Sequence, residues 1–206
     1  MPPLHSWVAF SLVALAMVLT PGPNMIYLIS RSVSQGARAG LVSLAGIGCA
    51  FLVFISFAAF GLTALLFAIP FAYDVLRIAG AIYILYLAWQ AVRPGGSSPF
   101  HVTPLAPDGP RRLFVMGFLT NILNPKAALM YLSLLPQFID PARGRMLTQL
   151  LVLGATQITI SMVMNGLITL GAGRISHFLR TRPRWMLAQR WVMGGALASI
   201  AVKMVR

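Results

Sequence analysis

Apolar residues fall into six long stretches, each of about 20 residues or more, the length a helix needs to cross a bilayer. They lie near Ser6–Ser30, Gly40–Phe67, Phe71–Val92, Leu113–Phe138, Met146–Ala172 and Met186–Val205. Pro70 and the Asp74/Arg77 pair mark the turn between the second and third. The longest polar stretch, Arg93–Arg112, holds Pro94, Gly95, Gly96, Pro99, Pro104, Pro107 and Pro110. That composition predicts a flexible, extended linker. It divides the chain into halves, 1–92 and 113–206, with three predicted helices in each. The expected fold is all-α, a single polytopic membrane domain over 1–206 with six transmembrane helices.

Composition supports this pattern. Only 9% of the 206 residues are charged, against about 25% in an ordinary soluble domain. There is no glutamate, and the acids are Asp74, Asp108 and Asp140. A soluble fold could hardly cover its surface with so few charges. Met1–Ser6 contain no Lys or Arg, whereas a cleaved signal peptide carries a basic start, so the first segment is expected to be retained.

The net charge of +13 sits in loops between apolar runs and forms no aromatic-interleaved patch. It reads as topogenic charge and contact with anionic lipid rather than as a nucleic-acid footprint. Arg31, Arg38, Arg93, Arg111, Arg112, Arg174, Arg180, Arg182, Arg184 and Arg190 fall on one side of the predicted helices. Arg77, Arg143, Arg145, Lys203 and Arg206 fall on the other. The larger set should be cytoplasmic, which puts both termini outside, in the periplasm if the cell is Gram-negative.

Two segments are broken where a membrane helix should be continuous. Pro21-Gly22-Pro23-Asn24 interrupts the first and Asn124-Pro125-Lys126 the fourth. Proline removes an N–H and clashes with the preceding turn, and lipid cannot satisfy the carbonyls this frees. Such breaks persist where they line a cavity, and paired breaks point to a transport site between two half-repeats. Gly22 is expected to supply backbone freedom and close approach. Pro23 suits the first turn of a new half-helix, whose positive end could hold an amino acid's carboxylate. The freed carbonyls could take its ammonium group, and Asn24 can donate and accept. Lys126 has no acid in any segment core to neutralise it, so it should face a wet cavity or carbonyl oxygens. Asn121 and Asn124 add polar contacts. The alternatives are a simple proline kink and a lysine that snorkels to the interface.

The breaks also align as a weak repeat. At an offset of 104 residues, Leu19-Thr20-Pro21-Gly22 meets Leu123-Asn124-Pro125-Lys126, and Tyr27 meets Tyr131. Three helices per half make the halves enter the membrane in opposite directions, which predicts two inverted repeats. On the fifth segment Gln157, Ser161 and Asn165 share one helical face, suited either to a pathway or to interhelical hydrogen bonds. Thr156 and Thr159 add further polarity there. Gly40, Gly46, Gly48 and Ala50 read as close packing. Tyr27, Tyr83, Tyr86 and Tyr131 could reach the cavity, with interface anchoring the default expectation for most aromatics.

Several chemistries are excluded. Cys49 is the only cysteine, so neither a disulfide within the chain nor a CxxC pair can form. His5, His101 and His177 are expected in termini or loops, with no metal-ligand spacing and no Ser–His pair. No metal site, cofactor or enzymatic activity is expected. Asp140 reads as a solvated helix-end charge, with proton exchange at the outer mouth as the sharper alternative.

At these motifs the chain resembles the LysE/RhtB family of amino-acid exporters. The likeness rests on Thr20-Pro21-Gly22-Pro23-Asn24, on Ser30-Arg31-Ser32 with Gly36, Arg38 and Gly40, and on Asn124-Pro125-Lys126-Ala127-Ala128. It continues through Leu135-Pro136-Gln137-Phe138-Ile139-Asp140 and Gly194-Gly195, across essentially the whole chain. The resemblance implies a bacterial inner-membrane exporter of amino acids or close derivatives, driven by proton antiport and working as a homodimer. Where family members carry a polar or acidic residue after the segment-two glycines, this chain has Cys49-Ala50-Phe51-Leu52-Val53-Phe54. That departure disfavours a cationic substrate and points to small neutral amino acids of the homoserine, threonine or leucine type. Pro21, Gly22, Pro23, Asn24, Asn121, Asn124, Pro125, Lys126, Gln157 and Asn165 are the expected substrate-binding residues. A metal or inorganic-ion exporter and a non-transporting membrane scaffold are the competing readings.

Overall fold

A computed structural model describes residues 1–62, 72–93 and 107–181, and beyond them 191, 194, 195, 198, 199, 201 and 202. Among these, all regular structure is helical. The helices are α1 (Leu4–Leu19), α2 (Pro23–Gln35), α3 (Ala37–Phe57), α4 (Ala72–Val92), α5 (Pro110–Ile122), α6 (Pro125–Leu129) and α7 (Met146–Thr181). α3 runs on through a π-helical turn, Ala58–Leu62. α6 continues through another, Met130–Leu134, and a 3-10 turn, Leu135–Phe138.

Two stretches of the described residues, Ala37–Phe60 and Met146–Ala172, are each long and apolar enough to cross a membrane alone. Two more pass as bent pairs. α1 with α2, and α5 with the α6 region, each turn by 52° at a short break. Both breaks fall where proline stops a helix, and in both the next half-helix starts on a proline, Pro23 or Pro125, whose missing N–H costs nothing at that position. By this role Pro125 matches Pro23, not the Pro21 of the sequence alignment, because the first break holds one more non-helical residue. α4 occupies the third apolar stretch. Pro70 and the side chains of Asp74, Arg77 and Tyr83 lie outside the described residues, as do His101 and most of the sixth stretch.

Glycines set how closely the helices approach. A Cβ on Gly46 of α3 would run into the Phe114 carbonyl of α5, and one on Gly117 of α5 would run into the Ser43 carbonyl of α3. The expected close packing of Gly46 therefore needs Gly117 as its counterpart, a pairing typical of membrane helices. α3 and α7 run antiparallel: Gly40 lies at Thr169, Gly48 meets the Met162 side chain and Gly154 meets Ile55. α2 runs antiparallel to α5, with Asn24 beside Asn121 and Gln35 beside Asp108.

Phe10, Leu28, Ile47, Phe51, Phe54, Tyr131, Leu134 and Leu153 are buried in one core. Tyr131 is fully buried, stacked on Phe54 at 5.7 Å between ring centres. It belongs to the core and not to the interface, because its hydroxyl finds a buried partner in Gln157. Large apolar side chains such as Leu12, Leu52, Phe57, Phe60, Trp89 and Leu167 are exposed instead. An apolar exterior around buried polar groups suits lipid as the surrounding solvent.

Three local expectations change. α7 continues past Ala172 to Thr181, taking in His177, and His5 lies in the first turn of α1. The end of the central linker is anchored: Asp108 pairs with Arg31 at 2.6 Å, both side chains being about nine-tenths buried. Gly22 needs no glycine for its conformation, since φ −163°, ψ 180° is extended backbone.

Candidate functional site

The two breaks meet. Lys126 follows Pro125 in the first turn of α6, half-buried, and its ammonium donates to the Thr20 carbonyl at 2.6 Å. Thr20 ends α1, so its carbonyl is one of those that a helix end leaves without an intrahelical partner. The lysine stem passes Gly22, where a Cβ would lie 3.5 Å from both Cδ and Nζ. One break thus supplies the oxygen that solvates the cation of the other. Among the described residues, Asp108 and Asp140 both pair with arginines elsewhere.

The helix starts at the two breaks are finished differently. At α6, Asn124 Oδ1 accepts from the Lys126 backbone N–H at 3.0 Å and caps the helix. At α2, Gly22 has no side chain to cap with. The first-turn N–H groups of α2, on Asn24 and Met25, have no intrahelical partners and stand at the positive end of a 13-residue helix. Unlike the α6 start, this one has no side-chain cap, and a bare helix N-terminus favours an anion.

Asparagines fix the geometry. Asn24 Nδ2 donates to Asn121 Oδ1 at 2.8 Å, and the fully buried Asn121 donates onward to the Ile47 carbonyl at 2.9 Å. Asn24 Oδ1 is left buried without a partner. On α7, Asn165 donates to the Ser161 carbonyl at 2.9 Å and to Ser161 Oγ at 3.1 Å. Gln157, Ser161 and Asn165 do share one buried face.

A cavity of about 430 Å3 of empty space, partly open to the outside, lies at this junction. Thr20, Gly22, Asn24, Asn124, Lys126, Gln157, Ser161 and Asn165 supply its backbone and polar groups. Met17, Met25, Phe51 and Met130 form much of the apolar wall. Of the expected site residues, Gly22, Asn24, Asn124, Lys126, Gln157 and Asn165 line the cavity. Pro21, Pro23 and Pro125 shape the breaks, and Asn121 supports Asn24 from behind.

Sequence reasoning missed the apolar wall, whose residues look like any others in an apolar helix. It also missed Gln149, fully buried, which accepts from the Asp140 N–H and donates to the carbonyls of Asp140 and Gly144. Asp140 itself accepts from the Ala142 N–H and pairs with Arg143 at 3.4 Å.

The LysE type translocator model matches residues 15–206. A homoserine/homoserine lactone efflux protein of Salmonella typhimurium is 34% identical over 190 residues, which cover 91% of this chain and 90% of that protein. An uncharacterized membrane protein of Vibrio cholerae is 30% identical over 179 residues, 86% of each chain. A leucine efflux protein of Salmonella choleraesuis is 28% identical over 178 residues, 83% of this chain and 81% of the relative. No solved structure matches. With the match covering nearly all of its length, the chain is a membrane protein that belongs to the LysE type translocator family.

Proposed function

We propose that this protein exports small neutral amino acids across a bacterial inner membrane by alternating access, driven by proton antiport. The carrying observation is the Lys126 ammonium, held at the cavity by a backbone carbonyl with no carboxylate beside it among the described residues. A substrate carboxylate would take that vacant role, between Lys126 and the uncapped start of α2. The unpartnered Asn24 Oδ1 would accept from the substrate ammonium. With no acid lining the cavity among the described residues, a cationic side chain would gain nothing there, while the Met17–Met25–Met130–Phe51 wall suits a neutral one. The relatives' names, homoserine/homoserine lactone efflux and leucine efflux, agree with this class.

In this reading the halves are inverted repeats, six helices in all. Support comes from the equal 52° bends and from the antiparallel course of the two bent spans. Arg31, Arg38, Arg112 and Arg174 would face the cytoplasm and both termini the outside. The chain would sit among anionic lipids as a homodimer.

Everted membrane vesicles incubated in turn with labelled amino acids of a panel, homoserine and leucine included, test the proposal. Accumulation under a proton gradient, lost in Lys126→Ala, is the expected result. A flat response across the panel would sink the substrate class. Uptake of inorganic ions would revive the ion-exporter reading, and silence to both would favour a scaffold.

A further inference from the structure

Gln157, Ser161, Asn165 and Thr169 follow each other at four-residue steps down α7, each 4% exposed or less. Each step advances about 6 Å along the helix. The first three line the cavity. Thr169 lies one turn beyond, toward the end of the molecule where Arg31 pairs with Asp108. At that level Ser32 of α2 and Thr169 converge on Gly40 of α3. A Cβ on Gly40 would collide with Ser32 Oγ and would stand 2.6 Å from Thr169 Cγ2.

The hydroxyls at this convergence are unusual. Ser32 is 7% exposed and Thr169 1%, yet neither oxygen has a hydrogen-bond partner, nor does the nearby Ser34 Oγ. A helical Ser or Thr can always turn to the carbonyl four residues back, as Thr20, Thr120, Thr156 and Thr159 do here. Orphaned hydroxyls on two different helices, facing one glycine, call for an explanation. Packing alone supplies none, because helix packing is served equally well by a hydroxyl bonded to its own backbone. Water does, if the space between α2, α3 and α7 opens and fills as part of the working cycle.

We propose that the solute path leaves the cavity past Asn165, Thr169 and Ser32, and that in this conformation it is shut at Gly40. The absent side chain at Gly40 lets α2, α3 and α7 close together there. Just beyond, the buried Arg31–Asp108 pair ties the end of α2 to the residues entering α5, so the closed state is held from the side. Opening would separate α2 from α7 and wet the two hydroxyls. The route rests on the reading that the paired breaks house the transport site.

The test is thiol accessibility in membrane vesicles of both orientations. Cys49 is replaced by serine, and Ser32→Cys, Thr169→Cys and Leu167→Cys are introduced singly. Leu167, 57% exposed, lies two residues from Thr169 on the apolar outer face and serves as the lipid-facing control. A charged, membrane-impermeant methanethiosulfonate should modify Ser32→Cys and Thr169→Cys roughly tenfold or more faster than Leu167→Cys, since a thiol reacts as its thiolate and needs water to ionise. Equal, slow reaction at all three, with fast reaction after denaturation, would overturn the path. Because the reagent reports water and not solute, labelling without amino-acid transport would keep the path and discard only the proposed substrate.

Discussion

Lys126 Nζ and the Thr20 carbonyl oxygen lie 2.6 Å apart although 106 residues separate them in the chain. A charge-assisted hydrogen bond of this kind links the two helix breaks directly. It also answers how a lysine is tolerated in the middle of an apolar segment. The cation is solvated by a carbonyl that the break in α1–α2 has left without an intrahelical partner.

Lys126→Ala should impair transport while leaving the protein folded. A hydrogen bond to a charged group contributes about 1.5–3 kcal/mol, so affinity for a carboxylate substrate should fall roughly tenfold or more. Lys126→Arg should not restore it, since a guanidinium is planar and larger than an ammonium. Vesicle uptake measured over a range of substrate concentrations checks this. Unchanged uptake in Lys126→Ala would remove the lysine from the site.

Gly22→Ser separates stability from function. Serine is a better helix N-cap than glycine, by a few tenths of a kcal/mol, and the extended backbone at Gly22 accepts it. Its hydroxyl would occupy the α2 N–H groups assigned to the substrate carboxylate. Thermal stability in detergent should hold or rise slightly while uptake falls. A variant with full transport would show that the α2 start does not bind the solute.

Asn121→Leu should destabilise the fold by about 1–3 kcal/mol. It leaves Asn24 Nδ2 and the Ile47 carbonyl without their buried partner. A lowered melting temperature is the readout, and no shift would mean that Asn24 finds another acceptor.

Gly46→Ala should cost about 1–3 kcal/mol, because the new methyl meets the Phe114 backbone and not a movable side chain. Gly109→Ala, with nothing within 4 Å of the added carbon, is the neutral comparison. Comparing folded yield and melting temperature of the two variants decides it; equal behaviour would mean that α3 and α5 have room between them.

Asp108→Asn should be costly, about 3–5 kcal/mol, since it leaves the largely buried Arg31 guanidinium without its carboxylate. Arg112→Ala removes only the exposed partner, 72% accessible, and should cost about 0–1 kcal/mol. Melting curves of the two variants in the same detergent give the comparison, and a similar loss in both would contradict the burial argument.

The sequence by itself determined the class of the protein. Long apolar stretches with almost no acids can only be helices in lipid, because a bilayer forces each backbone group to bond within its own segment. It also located both breaks, since proline acts on its own backbone whatever surrounds it. The identity of Lys126 as a special residue followed from its isolation among apolar neighbours.

What the tertiary structure decided was who faces whom. Nothing local tells Lys126 that its oxygen belongs to Thr20, Gly46 that its counterpart is Gly117, or Asp108 that Arg31 completes it. Nor does the chain distinguish Met17, Met25, Met130 and Phe51 from apolar residues that meet lipid, since both environments select the same side chains. Even Gly22 changed meaning: its backbone angles suit any residue, and what it leaves is an α2 start with no side-chain cap. Local chemistry writes helices and their breaks into the sequence, whereas a cavity exists only once distant segments pack and their leftover donors and acceptors meet.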